Sequence, residues 1–291
     1  MAYKKKRRKK RLVIKILLPI LALIACFLLA PYTPYRLPDE GLSVRFFDVG
    51  QGDAALVKCG NRAMLIDGGT PEGALWLLAR LYLSGVTRLD VTVATHPHDD
   101  HVGGLPLVLA LISSDTVMMP DASNAASDSY QHLLRVLALR KQTITHPNPG
   151  TNFHMNGARV EILAPRSLTY ADLNDISICL RVDYGANSFL FTGDAESVSE
   201  QQMLSDGALL RADVLKVGHH GSSSSSTQAF LEAVRPRYAV ISVGADNDYG
   251  HPTASVLSRL SNLSVKTLCT DERGSITFHS YGTELTIATT R

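Results

Sequence analysis

The sequence predicts an α/β domain in which helices cover two packed β-sheets, preceded by a single N-terminal transmembrane helix. Three features predict it. A run of eight bases, "KKKRRKKR" (Lys4–Arg11), abuts nineteen residues, Leu12–Ala30, that hold one charge, Lys15. Short apolar runs with strand chemistry then recur through both halves of the chain, with helix-like stretches between them. The chain of 291 residues is 45% apolar, which supports a true core and excludes a disordered protein.

As a helix, "LVIKILLPILALIACFLLA" would extend about 28 Å, close to the hydrocarbon thickness of a bilayer. Bases ahead of it place the N-terminus in the cytoplasm and the remainder outside. Residues 1–11 therefore read as a cytoplasmic tail, 12–30 as the anchor, 31–41 as a linker and 42–291 as the folded domain. Cleavage after Ala30 would leave Pro31 next to the cut and the large Leu28 where a small residue is wanted, so the anchor reads as retained. "LIAC", Leu23–Cys26, resembles a lipoprotein processing site, but the apolar "FLLA" after it does not suit a mature lipoprotein. The expectation is a single-pass membrane protein with an extracytoplasmic domain, a secreted or lipid-anchored form being the alternative.

The formal charge of +2 averages two unlike parts. Ten of the 29 Lys and Arg lie in residues 1–36, so the body sets 19 bases against 27 acids, a net of about −8. The tail therefore says nothing of what the body binds. Cys59, Cys179 and Cys269 are an odd set without close spacing, which reads as buried small hydrophobes and not as a disulfide framework.

In the first half the strand-like runs are "SVRFFDV", "AALVKC", "AMLID", "LDVTVAT" and "TVMMP". In the second they are "ARVEILAP", "ISICLRVDY", "SFLFTGD", "DVLKVG", "YAVISVG", "VKTLCT" and "SITFHS". Pro71 in the first turn and Gly85 beyond the end frame a helix between them. "DSYQHLLRVLALRK", "SVSEQQMLSD", "TQAFLEAVRP" and "TASVLSRLSN" read likewise as helices. "HPNPGTNFHMNG", rich in Pro, Asn and Gly, reads as a surface loop, with His146 and His154 in it as ordinary residues like His132 and His279.

The chemistry concentrates at "THPHDDHVGGLP". His96, His98 and His101 crowd with Asp99 and Asp100 into six positions on the loop leaving a strand, where rigid scaffolds tend to carry function. His96 and His98, two apart in an extended segment, point the same way, while Asp100 and His101 follow a bend. Imidazole nitrogens and carboxylate oxygens are ligands for zinc, manganese or iron.

"His96-Pro-His98-Asp-Asp100-His101" resembles the H-x-H-x-D-H signature of the metallo-β-lactamase fold superfamily. "FFDVGQGDAALV", "MLIDGG", "FLFTGDAE", "DVLKVGHHGSSSSS" and "YGHP" are similar, in the same order, to the metallohydrolase domain of the ComEC/Rec2 competence proteins, which are DNA-uptake channels. The resemblance runs from about Val44 to the C-terminus and implies a four-layer αββα sandwich holding two divalent cations, zinc or manganese. It implies His96 and His98 on one metal, Asp100 and His101 on the other, and Asp194 as the bridging carboxylate. Either His219 or His220 would complete the site; His220 is taken as the ligand, with His219 and Ser222 near substrate. His251 is a candidate for phosphate contact or leaving-group protonation, or a plain helix cap. Asp67 would orient a ligand histidine from behind it, and Asp53 would either do the same or simply form its turn.

Two departures stand out. The histidine that the wider superfamily commonly supplies before the "TGD" aspartate is missing; "LNDISICLRV" offers Asn174, Asp175 and Ser177 instead. One apolar span also cannot make a channel. The expected activity is that of a membrane-anchored phosphodiesterase or nuclease attacking DNA through a metal-bound hydroxide, with Asp100 and His251 in catalysis. The acidic body argues against strong DNA affinity, with Lys216, Arg235 and Arg237 as the local bases that could offset it. The alternatives are a cell-surface phosphodiester of the phosphorylcholine type, a lactone or thioester, or a non-catalytic binding module at the membrane.

Overall fold

A computed structural model describes residues 35–122, 125–167 and 170–291, with Leu21, Ile24 and Ala25 before them. Otherwise the predicted tail, residues 1–11, and anchor, residues 12–30, lie outside the described residues. Among the described residues no helix is long and apolar enough to cross a membrane.

The first half of the domain forms β1 (Leu42–Phe46), β2 (Ala55–Cys59), β3 (Arg62–Ile66), β4 (Arg88–Val93), β5 (Ser113–Met118) and β6 (Ile144–Thr145). The second forms β7 (Asn152–Met155), β8 (Ala158–Ala164), β9 (Cys179–Tyr184), β10 (Asn187–Phe191), β11 (Val214–Lys216), β12 (Tyr238–Ile241) and β13 (Lys266–Cys269). The last strands, β14 (Ile276–Ser280) and β15 (Leu285–Thr289), return to the first sheet, whose order is β15-β14-β1-β2-β3-β4-β5-β6. The second sheet is ordered β13-β12-β11-β10-β9-β8-β7. Each sheet changes from antiparallel to parallel pairing part-way across, at β3–β4 in one and β10–β11 in the other. Helices α1 (Ala74–Leu83), α2 (Asp99–Val102), α3 (Leu105–Leu111) and α4 (Asp128–Leu139) belong to the first half. The second half adds α5 (Ser197–Ser205), α6 (Gln228–Val234), α7 (Ala254–Asn262) and α8 (Thr270–Arg273).

Strand alternation builds the layers. In β10, Phe189 and Phe191 enter the core between the sheets while Leu190 joins the cluster with Met203 of α5 and Phe230 of α6. In β2, Val57 faces the other sheet and Leu56 faces Leu77 and Leu78 of α1. Between the sheets Phe46 stacks on Phe191 at 5.6 Å between ring centres. Side chains of this size contribute about 1.5–3 kcal/mol each when fully buried. The three apolar clusters give the helix–sheet–sheet–helix layering that the sequence predicts.

The structure corrects some local readings. The supposed loop "HPNPGTNFHMNG" contains β7, an edge strand that pairs with β8 around Asn156, whose φ is +51°. Turn residues flanking a four-residue strand hide it in the sequence. The helix expected from Pro71 starts at Ala74, because Pro71–Gly73 form a turn first. Of the supposed linker, residues 35–41 lie against the domain: Leu37 is buried, Arg80 stacks on Tyr35, and Lys58 binds Asp39 at 2.6 Å. Cys59 and Cys179 are buried free thiols and Cys269 is partly buried.

Candidate metal centre

The predicted site residues gather around the carboxyl ends of β3, β4, β10, β11 and β12, where ligands of open α/β sheets usually bind. Past β4, the N–H and hydroxyl of Thr95 both donate to the Asp67 carboxylate, at 2.8 and 2.7 Å, tying the ends of two parallel strands together. His98 is extended and caps the single turn of α2. That turn delivers Asp100 and His101 to Asp194, which follows β10. Gly52 permits it: its φ is +147°, and a Cβ there would stand 2.4 Å from the carbonyl oxygen of Asp100.

Asp100, His101, Asp194 and His220 form one cluster whose ligand atoms all lie within 4.8 Å of one another. His101 Nε2 is 3.2 Å from Asp194 Oδ1, and His220 Nε2 is 3.2 Å from Asp100 Oδ2 and 3.5 Å from Asp194 Oδ2. The other nitrogen of each ring is held from behind. His101 Nδ1 meets Asp67 Oδ2 at 2.8 Å, and His220 Nδ1 donates to the carbonyl of Ser242 at 2.8 Å. A carbonyl only accepts, so in the neutral ring of His220 the proton sits on Nδ1 and Nε2 presents its lone pair. His101 Nε2, His220 Nε2 and Asp194 Oδ1 are buried and make no hydrogen bond. Buried polar atoms normally have partners. Three orphans converging with a fourth oxygen fit a divalent cation with two nitrogen and two oxygen ligands.

The other half of the site is built differently. His96 Nε2 stands 3.8 Å from Asp194 Oδ2 and 3.1 Å from His98 Nδ1. Among the described residues His98 makes no contact with a carboxylate within 4 Å, so the structure joins His96 to the cluster and leaves His98 behind it. The segment lacking the superfamily histidine supports the bridging loop instead: Ser177 Oγ accepts the N–H of Asp194 at 3.1 Å, and Asp175 accepts those of Glu196 and Ser199.

His219 and His220 both adopt left-handed backbone, φ +48° and +51°, an uncommon state for bulky residues. It splays their rings 6.2 Å apart, His220 into the cluster and His219 toward solvent. His219 Nε2 lies 3.9 Å from Asp194 Oδ2, and its Nδ1 is 2.9 Å from Glu196 Oε1. His251 faces His219 at 5.6 Å and stacks on Tyr249. Its Nδ1 has no partner, and Thr253 occupies the N-cap of α7, so His251 is not that helix's cap. Ser222 Oγ bonds Ser224 Oγ, which in turn donates to Glu196 at 2.7 Å.

Charge is strongly coupled here. Burial works against a charged His101, yet Asp194, Asp67 and Asp100 outweigh it and raise its pKa well above the usual value. Burial also opposes ionisation of Asp194, but His101 and His220 hold its pKa well below the ordinary carboxylate value. Burial, with help from His101, lowers His96 well below its usual value. Burial, then His219 and His220, lowers His251. Burial raises Asp67.

Residues 47–245 match the family described as the metallo-β-lactamase superfamily. The chain belongs to that superfamily. Among curated relatives, a competence protein ComA of Neisseria gonorrhoeae is 34% identical over 87% of this chain and 35% of its own length. A ComE operon protein 3 of Bacillus subtilis is 29% identical over 83% and 33%. The chain thus spans about a third of the length of these relatives. The superfamily fold also appears in solved structures. The protein Tm1679, described as a metal-dependent hydrolase, aligns with a TM-score of 0.54 and 13% identity over 85% of this chain and 99% of its own. The YhfI protein of Bacillus subtilis aligns at 0.51 and 12% over 82% and 100%. Within that superfamily fold this chain carries a His/Asp cluster suited to divalent ions.

Sequence reasoning missed two participants. Glu196, two residues beyond Asp194 in "GDAE", holds His219; its place directly after the strand-end aspartate was the available signal. Thr95 braces Asp67. Lys216, one of the local bases set against the acidic body, is 4% exposed and pairs with Asp53 at 2.6 Å behind the cluster. Asp53 Oδ1 lies 3.7 Å from His220 Nδ1, so this carboxylate does stand behind a cluster histidine as well as in its turn.

Proposed function

We propose that the chain is a metal-dependent phosphodiesterase acting on DNA, held outside the membrane by residues 12–30. The observation that carries this reading is the convergence of Asp100, His101, Asp194 and His220 on one point, with His101 Nε2, His220 Nε2 and Asp194 Oδ1 buried and bare of hydrogen bonds. The competence names of the relatives support a nucleic-acid substrate for the same domain. Divalent ions bound there would supply Lewis acidity toward a phosphoryl oxygen and activate water. The chain's own residues do the remainder. Asp67 and Ser242 fix the rings of His101 and His220. Glu196 fixes His219, whose Nε2 faces the mouth beside Asp194, and His251 stands next to it with an unpartnered nitrogen. These two imidazoles are placed to hold a phosphate oxygen and to protonate a departing alkoxide.

The acidic body favours a second reading, hydrolysis of a small cell-surface phosphodiester, because Lys216 is consumed by Asp53 and does not face the mouth. One experiment separates the two. The full chain and a His101→Ala/His220→Ala variant are assayed on linear DNA and on a chromogenic phosphodiester with Mn²⁺, Zn²⁺ or Mg²⁺. Metal-dependent DNA cleavage lost in the variant supports the nuclease. Cleavage of the small ester alone selects the second reading. No turnover with any metal overturns both.

A further inference from the structure

The second sheet carries a cationic pocket at the end opposite the metal centre, where β11 and β12 begin. A cavity of about 300 Å³ is lined there by Arg181, Arg211, Arg235, Arg237, Ser188 and Asp213, among others. Of the two acids nearby, Asp183 is ion-paired with Arg181 at 2.6 Å and Asp213 is held by Ser188, whose N–H and hydroxyl donate to Oδ2 at 2.9 and 3.1 Å. Arg181, itself buried, also donates to the carbonyl of Arg211 and so pins that residue's backbone to the rim. Arg211, Arg235 and Arg237 make no ion pair among the described residues. Arg235 holds its place at the end of α6 in left-handed backbone, φ +47°, where glycine is the usual residue.

Arg211, Arg235 and Arg237 outnumber Asp213, the one acid that lines the pocket, and they do so on a body whose net charge is about −8. An anion offsets that local excess. Guanidinium forks match the paired oxygens of phosphate. The volume is at the lower end for small-molecule sites and suits one nucleotide-sized ligand. We propose that this pocket binds the phosphate group of a nucleotide-sized phosphate ester, independently of the metal centre and of the reaction assigned to it.

The test titrates the full chain with inorganic pyrophosphate and with a nucleoside 5′-monophosphate by calorimetry, with EDTA present so that no metal-held phosphate contributes. Binding should weaken as salt rises, and Arg211→Gln/Arg237→Gln should weaken it by about ten-fold or more. Arg235→Gln should do the same while hydrolysis of the chromogenic diester is unchanged. Absence of binding in the millimolar range overturns the proposal, as does binding that both variants retain. Binding only to phosphatidylglycerol vesicles, with none to the soluble phosphates, also overturns it and assigns the patch to a membrane surface.

Discussion

Replacing Lys216 by Met tests how the core behind the metal centre is held. Lys216 Nζ and Asp53 Oδ2 are 2.6 Å apart, and both side chains are almost wholly buried. At an effective dielectric constant of about 20, unit charges at that distance attract by about 6 kcal/mol. Desolvation offsets several kcal/mol for each ion, so the pair adds little beyond what an apolar pair would give. Breaking it is another matter. Lys216→Met strands a buried carboxylate whose Oδ1 already lacks a hydrogen bond, and that costs about 3–5 kcal/mol. For a domain of this size the melting temperature should fall by about 6–20 °C. Asp53→Asn should cost less, because the amide oxygen and the Val217 carbonyl, 2.8 Å from Nζ, still accept from the ammonium. Lys216→Met/Asp53→Asn should lose much less than the two together, with a coupling of about 2 kcal/mol or more. Urea denaturation of the four proteins measures this directly. Additive losses, or a Lys216→Met variant within about 0.5 kcal/mol of the parent, would refute the argument.

Glu196→Gln keeps the shape beside His219 and removes the carboxylate; turnover should fall by about 10–100-fold with the melting temperature unchanged, which steady-state kinetics and calorimetry check together. Gly52→Ala forces a Cβ to within 2.4 Å of the Asp100 carbonyl at a φ of +147°, so it should cost more than about 1 kcal/mol and weaken metal affinity in equilibrium dialysis. Burial lowers the pKa of His279, whose Nδ1 is 2.8 Å from Ser43 Oγ. The unfolded chain therefore binds this proton more tightly than the folded one. Its contribution is complete above about pH 6.5 and is lost as pH falls toward the folded value, so His279→Asn should flatten the decline of melting temperature below about pH 6.5.

Much of the scaffold was legible because burial leaves a period. Strands facing a core on both sides, such as "SFLF", read as continuous apolar runs, and α1 carries its stop signal in Gly85. Asp100, His101, Asp194 and His220 were readable because they sit where apolar runs end. The partners of those residues were not. Lys216 lies in a strand, and only the three-dimensional fold brings Asp53, 163 positions earlier in the chain, against it. Glu196 lies two residues past the strand-end Asp194, which places it near the site but does not say which ring it supports. The left-handed turn that splays His219 from His220 breaks the usual preference for glycine, so no local rule foretells which ring enters the cluster. β7 was hidden for the opposite reason: its neighbours are genuine turn residues.

The most direct measurement is the metal content of the purified full chain, by elemental analysis after dialysis against Zn²⁺ or Mn²⁺, beside His101→Ala/His220→Ala. The parent should retain at least one ion per chain, and at about a hundred-fold excess of metal over Kd its stability should rise by about 2.7 kcal/mol. The variant should lose that ion and the gain in stability. Equal metal content and equal stabilisation in parent and variant would contradict the assignment of Asp100, His101, Asp194 and His220 as a metal centre.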